Sequence, residues 1–293
     1  MDSREYAFIF PLRGEADVPA DFRSLVNGRV FEHGIFIPRN DPKRFAEDHP
    51  PCLMLLAASH LRIILHPAGA ISASQSVTEF DLCELAQLEA GRSLLRGWLE
   101  FSTPVSVTRV IYNTRASAAL DLFLTNLRRR WLGTPAARET TQAKQFGHTL
   151  DIKFGNLLAD ALDPGEFVRA HCFNSPAERA DGIALFRKKR WRPGHLLALT
   201  SGNRLLLLKD EYRGHQEPYA SISIWAPLCS VTRCHMEAKF GQADFVIDFS
   251  AGASWRIAIG QDASGWVGFS KVLNDALLQG FGDSGKPESI PQQ

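Results

Sequence analysis

The 293-residue sequence predicts an α+β, mainly β protein built from two similar halves, each an antiparallel sheet closed by a C-terminal helix. Three observations predict this. First, Leu53-Met54-Leu55-Leu56-Ala57-Ala58-Ser59-His60-Leu61-Arg62-Ile63-Ile64-Leu65 reads against Leu196-Leu197-Ala198-Leu199-Thr200-Ser201-Gly202-Asn203-Arg204-Leu205-Leu206-Leu207-Leu208, and Leu99-Glu100-Phe101-Ser102 against Ile247-Asp248-Phe249-Ser250. A repeat on this scale means a repeated structural unit. Second, strand-length apolar runs in both halves are punctuated by turn residues, the mark of hairpins. Third, each half closes on a helical stripe, Leu120, Phe123, Leu124 and Leu127 in one and Phe269, Val272, Leu273, Ala276 and Leu277 in the other.

The elements follow in order. Arg29–Ile37 is a first strand, and Gly34-Ile35-Phe36-Ile37 echoes Gly182-Ile183-Ala184-Leu185. Leu53–Ala57 and Leu61–His66 form a hairpin around Ser59-His60. Val77–Leu88 alternates poorly and fits either a strand or a short helix. Leu94–Phe101 and Val105–Ile111 form the next hairpin through Thr103-Pro104. Ala116–Trp131 is the first closing helix; Arg128, Arg129 and Arg130 in its last turn complement the exposed carbonyls, and Gly133-Thr134-Pro135 stops it.

A polar linker, residues 134–150, leads to a helix over Asp151–Leu162, the turn Asp163-Pro164-Gly165 and a strand over Glu166–Phe173. His195–Leu199 and Arg204–Lys209 form a hairpin whose Thr200-Ser201-Gly202-Asn203 turn tolerates positive φ. Strands follow at Ser221–Trp225 and Leu228–His235, then a hairpin of Ala243–Phe249 and Ser254–Ile259. In its second arm Trp255, Ile257 and Ile259 alternate with Ser254, Arg256 and Ala258, so one face is buried. The second closing helix, Ser264–Leu278, ends at Gly280. The domains are therefore 1–133 and 151–280, with a disordered polar tail over 281–293. Each is expected to hold its own core under its own helix, and a sheet running through both halves would overturn that picture.

Composition excludes several classes. Thirty-three basic against 32 acidic residues give a net charge of +1, so no global field draws the chain to nucleic acid. Nothing approaches the roughly 18–20 apolar residues of a spanning helix. Met1-Asp2-Ser3-Arg4-Glu5 lacks the basic start and apolar core of a signal peptide. Five cysteines without framework spacing read as reduced thiols. Together these place the protein in the cytoplasm, with the inner face of the membrane as the alternative.

Leu162-Asp163-Pro164-Gly165-Glu166-Phe167-Val168, leading into a strand, and the hairpin Leu197-Ala198-Leu199-Thr200-Ser201-Gly202-Asn203-Arg204-Leu205-Leu206 resemble the bacterial pleckstrin-homology-like (PH-like), GRAM-like group. The resemblance covers about residues 151–279 and reaches the first half through the repeat, where Ala57 and His60 stand in place of Thr200 and Arg204. It implies tandem PH-like domains, each a strongly bent antiparallel sheet or partly open barrel plugged by a helix. It also implies binding of lipid headgroups, peptides or other proteins.

The sharpest local feature is Arg187-Lys188-Lys189-Arg190-Trp191-Arg192. Arg187, Lys188, Lys189, Arg190 and Arg192 would hold an anionic group, with a solvated strand edge as the competing reading. His171-Cys172 and Cys229-x4-Cys234-His235 contain soft ligands, but their spacing suits no zinc knuckle, and no metal is expected. No nucleophile elbow or helical His-Glu pair occurs, and Gly280-Phe281-Gly282 follows the last helix rather than opening one, so neither catalysis nor a cofactor is expected. Glu47-Asp48 and Asp210-Glu211 read as solvated charge. The expectation is a non-catalytic binding or scaffolding protein for a protein or peptide partner, with homo-oligomers as a further arrangement. Anionic lipid bound through residues 187–192 is the alternative.

Overall fold

The computed structural model describes residues 8–39, 49–65, 76–93, 96–114, 118–133, 150–181, 188–211, 220–239, 242–250, 252–259 and 264–282. The linker over 134–149, Arg187, Gly182–Leu185, Glu47-Asp48 and the tail from Asp283 lie outside these residues.

In the first half the order is β1 (Phe10–Leu12), α1 (Ala20–Val26), β2 (His33–Ile37), β3 (Cys52–Leu56), β4 (His60–Leu65) and β5 (Ser76–Asp81). A 3-10 turn (Leu82–Glu84) follows, then β6 (Gln87–Arg92), β7 (Arg96–Ser102), β8 (Val107–Asn113) and α2 (Ala118–Leu132). The second half runs α3 (Ile152–Ala161), β9 (Val168–Asn174), β10 (Ala177–Asp181), β11 (Lys188–Arg192), β12 (His195–Thr200), β13 (Arg204–Glu211) and β14 (Ala220–Pro227). It continues through a 3-10 turn (Leu228–Ser230), β15 (Val231–Lys239), β16 (Gln242–Phe249), β17 (Ser254–Ile259) and α4 (Ser264–Gly282). Among the described residues, apart from β1, the 3-10 turn Glu15–Asp17 and the β10–β11 arm, both halves repeat one order: helix, four strands, 3-10 turn, three strands, helix. Every strand pair is antiparallel.

The halves are nevertheless not separate. β6 pairs with β14, from Leu88↔Trp225 to Arg92↔Ser221. This joins three strands of the first half to four of the second in one sheet, ordered β8-β7-β6-β14-β13-β12-β9. A five-stranded sheet, β1-β2-β3-β4-β5, lies to one side and a three-stranded sheet, β15-β16-β17, to the other. The expectation that each half closes its own core is corrected by this shared sheet.

Side chains explain why it sits centrally. Along β12 and β13 the apolar run is continuous rather than alternating, so both faces must be covered. Leu196, Ala198, Leu206 and Leu208 point into a core that also holds Ile35, Met54, Ile63, Leu99, Phe101 and the α2 stripe. Their neighbours Leu197, Leu199, Leu205 and Leu207 point into the opposite core, with Phe245, Ile257, Trp266 and Phe269. Each such buried side chain is worth about 1.5–3 kcal/mol. A third cluster lies outside the five-stranded sheet, where Phe22 and Val26 of α1 cover Phe36, Leu53, Leu55 and Ile64.

Most expected strands and helices fall where the sequence puts them. Val77–Leu88 resolves into β5, a 3-10 turn and the start of β6. Leu228–Ser230 is the matching 3-10 turn, so the strand expected from Leu228 begins at Val231. Gly280 does not end α4, which runs to Gly282. The counterpart of β2 is β9, in the strand expected over Glu166–Phe173: β2 pairs with β3 as β9 pairs with β12. Among the described residues no helix is long and apolar enough to cross a membrane.

Candidate functional site

The segments at Asp163–Glu166 and Thr200–Arg204 converge on one buried ionic cluster. Asp163-Pro164-Gly165-Glu166 is a tight turn, closed by Glu166 N–H donating to the Asp163 carbonyl at 2.9 Å, with Gly165 at φ +87° as a Pro-Gly turn requires. The Glu166 carboxylate turns back to accept from Asp163 N–H at 3.0 Å. Between β12 and β13, Asn203 takes the positive φ, +52°, and aims Arg204 inward until it is 1% exposed. There its guanidinium donates to Asp163 Oδ2 at 2.8 Å, to Glu166 Oε2 at 3.4 Å and to the carbonyl of Gly133. Thr200 donates its hydroxyl to Glu166 Oε1.

From α2, Arg128 donates to Asp163 Oδ1 at 3.0 Å and lies 4.8 Å over the Trp225 ring. Two guanidiniums thus share the Asp163 carboxylate, and one of them comes from the first half. Charges removed from water this completely need such pairing to be tolerated at all. The cluster is a clamp across the seam between the halves; its members are engaged with one another.

Beside the clamp a groove of about 400 Å³ opens along the seam. Its floor is the β6–β14 junction, with Ala90, Ser221, Ser223 and Trp225; α2 and α3 form the walls, with Asp121 and Asp160 among the wall residues. Arg92 pairs with Asp121 across one end. Behind it burial pushes the Tyr112 phenol up, with Arg92 acting against that shift. The Trp225 indole is fixed by donating to the Ala161 carbonyl at 3.2 Å. Ser221 and Ser223 at the floor and charges of both signs make the groove polar, while Arg128 covers the Trp225 ring. The described lining includes neither histidine nor cysteine.

Of the predicted basic residues, Arg187 lies outside the described residues, and Lys188, Lys189, Arg190 and Arg192 lie on β11. That strand pairs with β10 as a continuation of the β9–β12 hairpin. The register sets Arg179 opposite Arg190 and Asp181 opposite Lys188, so cations occupy both strands of the arm.

The cysteine and histidine residues are dispersed. Cys172 donates to the Gly265 carbonyl at 3.1 Å, and burial pushes its thiol up to about 12. Cys234 bonds Asn274 of α4 at 3.1 Å and is raised by burial, while Cys229 is exposed. His235 contacts Glu237 at 3.1 Å. Asp210, read as solvated, is buried and pairs with Lys153 at 2.7 Å.

Sequence reasoning missed Arg128, Arg179 and every groove residue. Arg92, Asp121 and Asp160 look like surface charges in the sequence, and only the pairing of β6 with β14 brings them together. No family model matches the chain, and no curated protein matches it.

Proposed function

We propose that the chain is a non-catalytic binding or scaffolding protein made of two fused PH-like units, with the seam groove as its recognition site for an extended polar peptide of a partner protein. The repeated helix, four-strand, 3-10 turn, three-strand, helix order supports the PH-like reading of both units, 1–133 and 151–280. The observation that carries the binding reading is the division of labour at the seam. The charged family-like residues are consumed by the clamp, while the groove beside it keeps Ser221 and Ser223 at its floor. Affinity capture with the full chain from its native host tests this. A protein retained by the wild type and lost with Ser223→Arg, which fills the groove, is the expected result. Identical capture by both would sink the reading.

A second reading is favoured by the arm, where Lys188, Arg190 and Arg192 share a strand facing Arg179. In it the arm binds anionic headgroups and the protein sits at the membrane surface. Sedimentation with phosphatidylserine vesicles at low salt should then be abolished in K188E/K189E/R190E. Absence of wild-type binding would remove it.

A further inference from the structure

The seam is made by two kinds of strand, and the chain carries a second, unused pair of the same kinds. β6 is the first strand after the 3-10 turn of its half; β14 is the last strand before the 3-10 turn of the other. By position in the repeat, β15 corresponds to β6 and β5 corresponds to β14. Among the described residues β5 and β15 each end a sheet, with no strand on the outer side. The edge that receives a strand is therefore on the second half, and the edge that is received is on the first.

We propose that β15 of one molecule accepts β5 of the next copy, repeating between molecules the antiparallel pairing that β6 and β14 make within one. This stands apart from the groove and needs no assigned ligand.

The internal ladders fix the expected register. Leu61↔Phe80 matches Leu205↔Ala226, which puts Val77 in the place of Ser223 and Glu79 in that of Trp225. Leu99↔Ala90 matches Ile247↔Cys234, and Phe101↔Leu88 matches Phe249↔Val231. Carrying Ser223↔Ala90 and Trp225↔Leu88 across sets Val77 opposite Cys234 and Glu79 opposite Val231.

The chemistry of the edges agrees. β5, Ser-Val-Thr-Glu-Phe-Asp, carries the β-branched pair Val77-Thr78 and no lysine or proline, though Glu79 and Asp81 are charged. Val77 is 42% exposed there. Arg233, exposed on β15, would flank Thr78 on the face opposite Val77 and Glu79, and Glu79 keeps its own partners Arg29 and Arg62. The irregularity in β15 lies between Val231 and Arg233, inside this ladder, so Val77 and Glu79, two residues apart, face Cys234 and Val231, three apart, across a bulge. α4 carries exposed Val267 and Leu278, apolar surface available to the incoming copy. Because the contacting surfaces differ, the contact is head-to-tail and propagates into a ring or filament.

Light scattering on the full chain across concentrations tests this. Wild type should give masses at multiples of 32.5 kDa. Val77→Lys and Arg233→Pro, each spoiling one edge, should each give only the 32.5 kDa monomer. Mixed in equal amounts they should form a dimer and nothing larger, because one intact edge of each kind remains. A wild type that stays monomeric at every concentration, or a mixture that stays monomeric, overturns the proposal. Should either variant fail to fold, Val77→Cys reads the same contact. Under mild oxidation it should give a disulfide ladder that disappears in V77C/C234S, and absence of that ladder is equally fatal.

Discussion

The turn between β3 and β4 and the turn between β12 and β13 occupy the same place in the repeat, yet one is wet and the other dry. In the first half His60 stands where Arg204 stands in the second, and its imidazole meets Asp81 at 2.7 Å with both side chains about half exposed. Ala57 replaces Thr200. After α1 the chain presents Arg29, which pairs with Glu79 on the surface, where after α3 it presents Asp163 and Glu166 inside. The hairpin itself therefore does not need the buried ions. They occur where the end of α2, the turn after α3 and the start of β13 converge, so the cluster serves the junction between halves rather than the hairpin.

The largest effect that would break this comparison is expected from Arg204→Met. It leaves the Asp163 and Glu166 carboxylates without their main buried partner and should cost about 3–5 kcal/mol in denaturant unfolding. A loss below 1 kcal/mol would mean the cluster is not buried as described. Thr200→Val keeps the shape but removes the donor to Glu166 and should cost about 1–3 kcal/mol.

A smaller test concerns His171, which occupies on β9 the place of Gly34 on β2. Burial holds its imidazole below the ordinary 6.5. The folded state thus binds the proton less readily than the unfolded chain. Stability should be full above pH 6.5 and fall on acidification through the folded-state value, only slightly for this half-buried, solvent-screened group. Replacing His171 with Gln should flatten the slope. The smallest effect is expected from His60→Ala, about 0.5 kcal/mol or less, because the pair it breaks is solvated. If His60→Ala rivalled Arg204→Met, the two turns would be energetically alike and the contrast would fail.

Local pattern made much of this legible. The β12–β13 run announced strands, the alternation of Trp255, Ile257 and Ile259 announced one buried face, and Gly133, at φ +79°, marks the end of α2 as expected. α1 escaped notice because seven residues hold barely two turns of apolar pattern, and β1 because three residues hold none. The pairing of β6 with β14 had no local sign at all: Ser221-Ile222-Ser223-Ile224 alternates equally well on an edge or in a sheet interior. With that pairing hidden, Arg128 read as a helix-end cation and the groove could not be seen. Thr200 and Arg204 were legible as residues of interest, but their burial depended on α2 and on the Asp163 turn, distant in sequence.

The common core holding Phe154, Leu196 and Leu206 together with Phe101 and Leu124 bears on what happens when the backbone is cut. A single nick between residues 133 and 150 leaves the β6–β14 ladder of the seven-stranded sheet and the guanidinium clamp holding the fragments to each other. Co-expressed as two polypeptides, the fragments should copurify as one particle, and each alone should expose the wide greasy wall its sibling ordinarily shields.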